Sequence, residues 1–134
     1  MTVLTASMDH PLFLRRVLFV DAATCIAMAL FLVLLAQPLS PLLGLPGALL
    51  EAAGASLFPI GGFIAWAAAS GRATWLVIVG NAAWVAASAV LLLGGWFSPT
   101  LLGYGFVIVQ ACIVAFLAAV EYSALSSRFG TDAS

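Results

Sequence analysis

With 134 residues, 65% hydrophobic content, 7% charged content and a mean hydropathy of +1.24, the chain lies far outside the composition of a soluble domain and reads as a membrane protein. Its net charge is −1, with no Lys and four Arg, so it carries no basic patch and nucleic acid is excluded as a partner. The apolar runs are continuous and rich in Ala and Leu rather than alternating, which excludes barrel strands and leaves helices as the spanning elements.

Four segments approach the roughly 20 apolar residues that a bilayer core requires. The first predicted helix covers residues 17–36, behind Arg15 and Arg16. It carries Asp21, Thr24, Cys25 and Met28 at i, i+3, i+4 and i+7, a semi-polar stripe on one face. Its apolar run is longer than the core of a signal peptide and lacks a small-x-small cleavage site, so it is read as a retained span. Pro38, Pro41 and Pro46, with Gly44 and Gly47, are expected to break the chain after it.

The second predicted helix covers 49–69, with Glu51 near its start. In SLFPIGGF, Pro59 removes a helical N–H and Gly61 and Gly62 loosen the backbone, so a kink or local opening is expected there, a candidate hinge. After Arg72 the third helix covers 74–93, with Asn81, Trp84 and Ser88 on one face. Trp84 lies mid-span, where it fills the core or stacks on an apolar ligand, packing being the simpler role. Gly94, Gly95 and Pro99 end this segment. The fourth covers 100–122, with Gln110 and Glu121 on one face and Arg128 continuing it. Trp66, Trp75, Trp96 and Tyr104 fall near span ends, as interfacial aromatics do.

Arg15, Arg16, Arg72 and Arg128 act as topology anchors. The uncharged connections on the opposite side then predict cytoplasmic termini and a bacterial inner (cytoplasmic) membrane location. LLAQPLSPLLG and LLGGWFSPTLLG share Leu-Leu, Ser-Pro and Leu-Leu-Gly. The comparison places Asp21-Ala22-Ala23 on Asn81-Ala82-Ala83 at an offset of 60, and Glu51 on Gln110 at 59. The expected fold is therefore all-α: a single four-helix transmembrane bundle over residues 1–134, made of two tandem parallel hairpins related by duplication. A chance match between Ala/Leu-rich helices is the competing explanation.

Counted inward from the arginines at about 1.5 Å per residue, Asp21, Asn81 and Glu121 fall at similar depth. A carboxylate inside a span costs up to about 3 kcal/mol, so Asp21 and Glu121 are expected to face the bundle interior, in a buried polar cluster with Thr24, Asn81 and Gln110. Asn81 and Arg72 are the candidate partners of Asp21. Neutral polar residues in such positions also serve as interhelical glue, worth about 0.6 to 2 kcal/mol each. The lone His10 precedes the first span and the two cysteines form no CxxC, so no metal site, haem site or cofactor is expected. Nor is a nucleophile paired with a base or a phosphate loop present, and an enzyme is not expected.

The DAA of the first helix, LLGLP, GNAAW, GWFSPTLLG and the final VEYSAL resemble the small four-helix integral membrane proteins of proteobacteria, most of which have no assigned function. That resemblance implies an architecture and no activity. The chain does not resemble the small multidrug resistance exporters, whose glutamate motif has no counterpart around Asp21. Two functions follow as expectations. The first is a non-enzymatic accessory or structural subunit, in a homo-oligomer or larger membrane complex, that holds a lipid or other lipophilic molecule. The alternative is a proton-coupled transporter or small channel with Asp21 as the protonatable site.

Overall fold

The computed structural model describes residues 11–133, with side-chain surroundings for residues 12–127; His10 and the side chain of Arg128 lie outside the described residues. Four helices make up the described chain: α1 (Pro11–Leu43), α2 (Gly47–Ser70), α3 (Thr74–Leu93) and α4 (Leu101–Ala133). All four are long and apolar enough to cross a membrane, and no strand occurs among the described residues. Large apolar side chains such as Leu34, Leu93, Leu101 and Phe116 are exposed, an arrangement suited to lipid rather than water.

The third helix coincides with its predicted span, and the second differs from it by two residues at the start and one at the end. The first does not stop at Ala36. It runs on through Pro38 and Pro41 to Leu43, because two prolines remove only two N–H groups and a helix tolerates that loss where neighbours support it. The chain turns instead at Gly44, whose φ of +68° is one that an L side chain rarely adopts. Gly44 N–H donates to Ser40 O at 2.9 Å, and the Ser40 hydroxyl donates to Leu45 O at 2.6 Å, so the released polar groups stay paired. Nor does Pro59 open α2, which is an unbroken helix from Gly47 to Ser70.

A common spacing marks most of the residues that each helix buries. On α2 the buried positions Leu50, Gly54, Leu57, Gly61, Ile64 and Ala68 run alternately four and three apart, with Ala67 buried beside the last. A similar run of threes and fours follows α1 through Leu14, Leu18, Asp21, Cys25, Ala29, Leu32 and Ala36, with Ala22 buried beside Asp21. It continues on α3 through Thr74, Val77, Asn81, Trp84 and Ser88, and on α4 from Gly103 through Val107, Gln110, Val114, Leu117 and Glu121 to Ala124. Cys25, Trp84, Gln110 and Val114 are half-buried members of these seams. Spacing of this kind averages 3.5 residues, the period at which a straight seam of side chains packs against neighbouring helices.

Glycines set how closely α1 and α2 approach. A Cβ on Gly54 would come within 2.8 Å of Val33 Cγ2, and one on Gly61 within 2.7 Å of Ile26 Cδ1. Gly61 is therefore a packing position, whereas a side chain at Gly62 would meet open space. The Ala82/Ala86 and Ala115/Ala119 pairs, which have the spacing of a close-approach motif, are exposed.

Packing around the bundle is uneven. α1 lies along α2 and against α4, α4 lies along α3, and α2 and α3 barely touch. At the end opposite the arginines, Thr100 locks α4 to α1: its N–H donates to Leu43 O at 3.0 Å and its hydroxyl to Leu42 O at 2.6 Å. The same hydroxyl accepts from Gly103 N–H at 3.1 Å, capping α4. Gln37 of α1 donates to Glu51 of α2 at 3.1 Å at this end, where both are exposed.

Candidate functional site: a carboxyl pair beside an apolar cleft

Asp21, Asn81 and Glu121 are seam residues of three different helices, so seam packing alone brings them to the bundle interior. Asp21 is 2% exposed, Glu121 0% and Asn81 6%. The Asn81 amide nitrogen donates one proton to Asp21 Oδ2 at 2.8 Å and the other to Glu121 Oε1 at 3.0 Å. Both N–H bonds of the amide are thereby committed. Sharing one nitrogen also puts the two carboxyl oxygens within about 6 Å of each other.

The rest of the surroundings supply little. The Cys25 thiol donates weakly to Asp21 Oδ1 at 3.9 Å. Glu121 Oε2 is buried and has no hydrogen-bond partner among the described residues. No ion pair is found for either carboxyl among those residues. Arg72, one of the two candidate partners of Asp21, is exposed in the turn between α2 and α3, and Arg15 stacks over Phe19 at 5.7 Å. Asn81, the other candidate, is the residue that reaches it.

Thr24 does not join this cluster. It sits beside the seam rather than on it, and its hydroxyl donates to Val20 O at 2.8 Å within its own helix, satisfying itself locally. Gln110 belongs to a second, neutral cluster. The Trp84 indole N–H donates to Gln110 Oε1 at 2.9 Å, while Gln110 Nε2 donates to Ser88 Oγ and to Val107 O, each at 3.0 Å. The Ser88 hydroxyl in turn donates to Trp84 O at 2.9 Å. A void of about 50 Å³ lies between the clusters, lined by Asp21, Trp84 and Gln110 among others.

Because α2 and α3 are scarcely in contact, an apolar cleft of about 310 Å³ opens between them. Its walls include Leu57, Ile60 and Phe63 of α2 and Leu76 and Val77 of α3, with Pro59 beside them; Cys25, Asn81 and Trp84 line its inner side. That volume is at the lower end of the range for small-molecule sites, and an apolar wall with a few polar groups is their usual make-up. Trp84 also borders a second cavity of about 200 Å³ toward the Thr100 end, so it lines both spaces.

The sequence places Cys25 and Ser88 on polar stripes without assigning them partners, and it does not single out Thr100; the structure sets Cys25 beside Asp21, makes Ser88 an acceptor for Gln110 and makes Thr100 a cap and interhelix tie. The alternation of three and four residues along each helix is the signal that picks out the first two, and a Thr just before an apolar run picks out the third. No group of three or more His, Cys, Asp and Glu suited to a metal occurs among the described residues. Comparison with known proteins finds no matching family model, curated protein or solved structure.

Proposed function

We propose that this chain is a non-enzymatic, ligand-holding subunit of a membrane, retaining a lipid or other lipophilic molecule in the cleft between α2 and α3. The observation that carries this reading is the unevenness of the bundle. Three pairs of neighbouring helices pack together while α2 and α3 barely touch, leaving an apolar space with Asn81 on its inner side. An open apolar groove of about 840 Å³ also lies between α1 and α4, but none of Asp21, Asn81 and Glu121 lines it. The exposed Ala82/Ala86 and Ala115/Ala119 faces suit packing against further helices, in a homo-oligomer or a larger complex. The arginine placement supports an inner-membrane protein of a bacterium with both termini cytoplasmic, and the motifs support membership of the small four-helix proteobacterial group.

Duplication of a helical hairpin supplies an origin for the site. Asp21 and Asn81, 60 residues apart, are hydrogen-bonded to each other, and the first Leu-Leu-Gly meets the second through Thr100, as expected of equivalent positions facing one another across an axis. Purification in mild detergent followed by native mass spectrometry tests the proposal. The expected species is an oligomer or complex carrying a lipophile; a bare monomer without lipid or partner overturns it.

A second reading is favoured by the carboxyl pair itself. Two adjacent acids share one amide with no cation beside them among the described residues, and one buried oxygen is left unpartnered, an arrangement suited to a site that takes up a proton. On this reading the chain is a proton-coupled carrier or small channel, with Asp21 as the protonatable site and Glu121 as relay. Liposome flux is the measurement: proton-driven transport that is unchanged in Asp21→Asn counts decisively against it.

A further inference from the structure

Asn81 belongs to two sites at once. Its nitrogen holds both carboxyls, at 2.8 and 3.0 Å, and the residue itself lines the cleft. That bonding fixes the orientation of the amide, because turning it over would aim the carbonyl oxygen at two acceptors. Oδ1 is then the one amide atom left for a ligand, and among the described residues it accepts no hydrogen bond. The other polar group of comparable strength at the cleft, the Trp84 N–H, is already given to Gln110.

We infer that the cleft takes a lipophile bearing a single hydrogen-bond donor, such as a hydroxyl, which donates to Asn81 Oδ1, and that its binding is linked through this amide to the proton count of the Asp21–Glu121 pair. The inference rests on the ligand-holding reading above and names the ligand class and the regulation of that site. An apolar molecule without a donor leaves Oδ1 unsatisfied in a dry cleft, whereas an alcohol of the same shape pairs it. A donor on Oδ1 polarises the amide, so its two N–H groups become stronger donors to the carboxyls. Stronger donors favour the charged form of an acid, so ligand binding releases a proton and the affinity for the donor ligand rises with pH.

The groups facing the pair are few enough to make the linkage readable. α1 brings Asp21 and the Cys25 thiol, α3 brings the neutral Asn81, and α4 brings Glu121 itself. The wall from α2 is apolar, Leu57 and Ile64 among it, and the acid of that helix, Glu51, is held by Gln37 at the other end. Arg15, Arg16 and Arg72 are exposed.

Equilibrium dialysis of the protein in lipid nanodiscs, against naphthalenemethanol and its isostere ethylnaphthalene and with empty nanodiscs as the blank, tests the inference. The alcohol is expected to bind about fivefold more tightly than the hydrocarbon. Its affinity should rise about threefold with pH, a rise that the hydrocarbon lacks and that is lost in both Glu121→Gln and Asp21→Asn. Equal affinity for the two probes overturns the inference while leaving the ligand-holding reading in place. An alcohol affinity that is flat with pH, or a rise that persists in both variants, overturns the linkage. Absence of protein-dependent binding of either probe overturns the ligand-holding reading itself.

Discussion

The Asp21–Asn81–Glu121 and Trp84–Ser88–Gln110 clusters share the seams of α3 and α4, one to three turns apart, and the first adds Asp21 from α1. In the second, each amide N–H, the amide oxygen, the hydroxyl and the indole N–H have a partner, and the set is neutral. In the first, one amide serves two acids and a buried oxygen remains alone. Closed neutral networks fix helix register and contribute about 0.6 to 2 kcal/mol per bond. An open, acid-bearing one contributes less than it costs unless something else completes it, so the difference separates a structural device from a candidate working part.

Replacing the shared donor should break the contrast most severely. Asn81→Leu strands two acids in the bundle interior, and a loss of about 3 kcal/mol or more is expected by denaturant unfolding in mixed micelles. Gln110→Leu attacks the neutral cluster, leaving the Trp84 N–H and the Ser88 hydroxyl each short of one partner, for about 1 to 2 kcal/mol. Trp84 emission should shift in that variant, with no dependence of the loss on pH.

A smaller and opposite effect is expected from Glu121→Gln. The amide keeps an acceptor for Asn81 and gains donors for Asp21, so stability should stay within about 1 kcal/mol of wild type or rise above it. Any gain should widen as the medium is made more alkaline, because a second negative charge on the pair costs more than the first. A stability deficit in this variant, larger at high pH, would show that the two acids are not in mutual conflict. The mildest change is Ser88→Ala: Gln110 keeps its bond to Val107 O, and about 0.5 kcal/mol is the expected loss.

Hydropathy and length sufficed to place four helices, and α3 coincides with its predicted span because Gly71 and Gly94 flank it without competing signals. Proline misled at the end of α1. Pro38 and Pro41 are breakers in water, but a helix packed on neighbours carries them, and the real stop is the positive φ at Gly44. Depth counting from the arginines brought Asp21, Asn81 and Glu121 to one level, since rise per residue is fixed whatever the packing. It could not separate Thr24 from the cluster, because one position off a seam is invisible without the neighbouring helix. The cleft was beyond reach altogether: it arises from a contact that α2 and α3 do not make, and absence of packing leaves no local mark on either sequence.

The turn at residues 71–73 crosses the gap beside that cleft. It is tight, with Gly71 and Ala73 both at positive φ, and its three residues are the covalent staple between α2 and α3. The molecule is in effect a strip of four slats in the order α2, α1, α4, α3, rolled into a tube along three glued joints and left unsealed at the fourth. Spreading such a tube at the end away from the staple tears no joint. Mouth width is therefore the cheapest large-scale coordinate the fold possesses, and a molecule arriving sideways from the surrounding lipid would meet least resistance there.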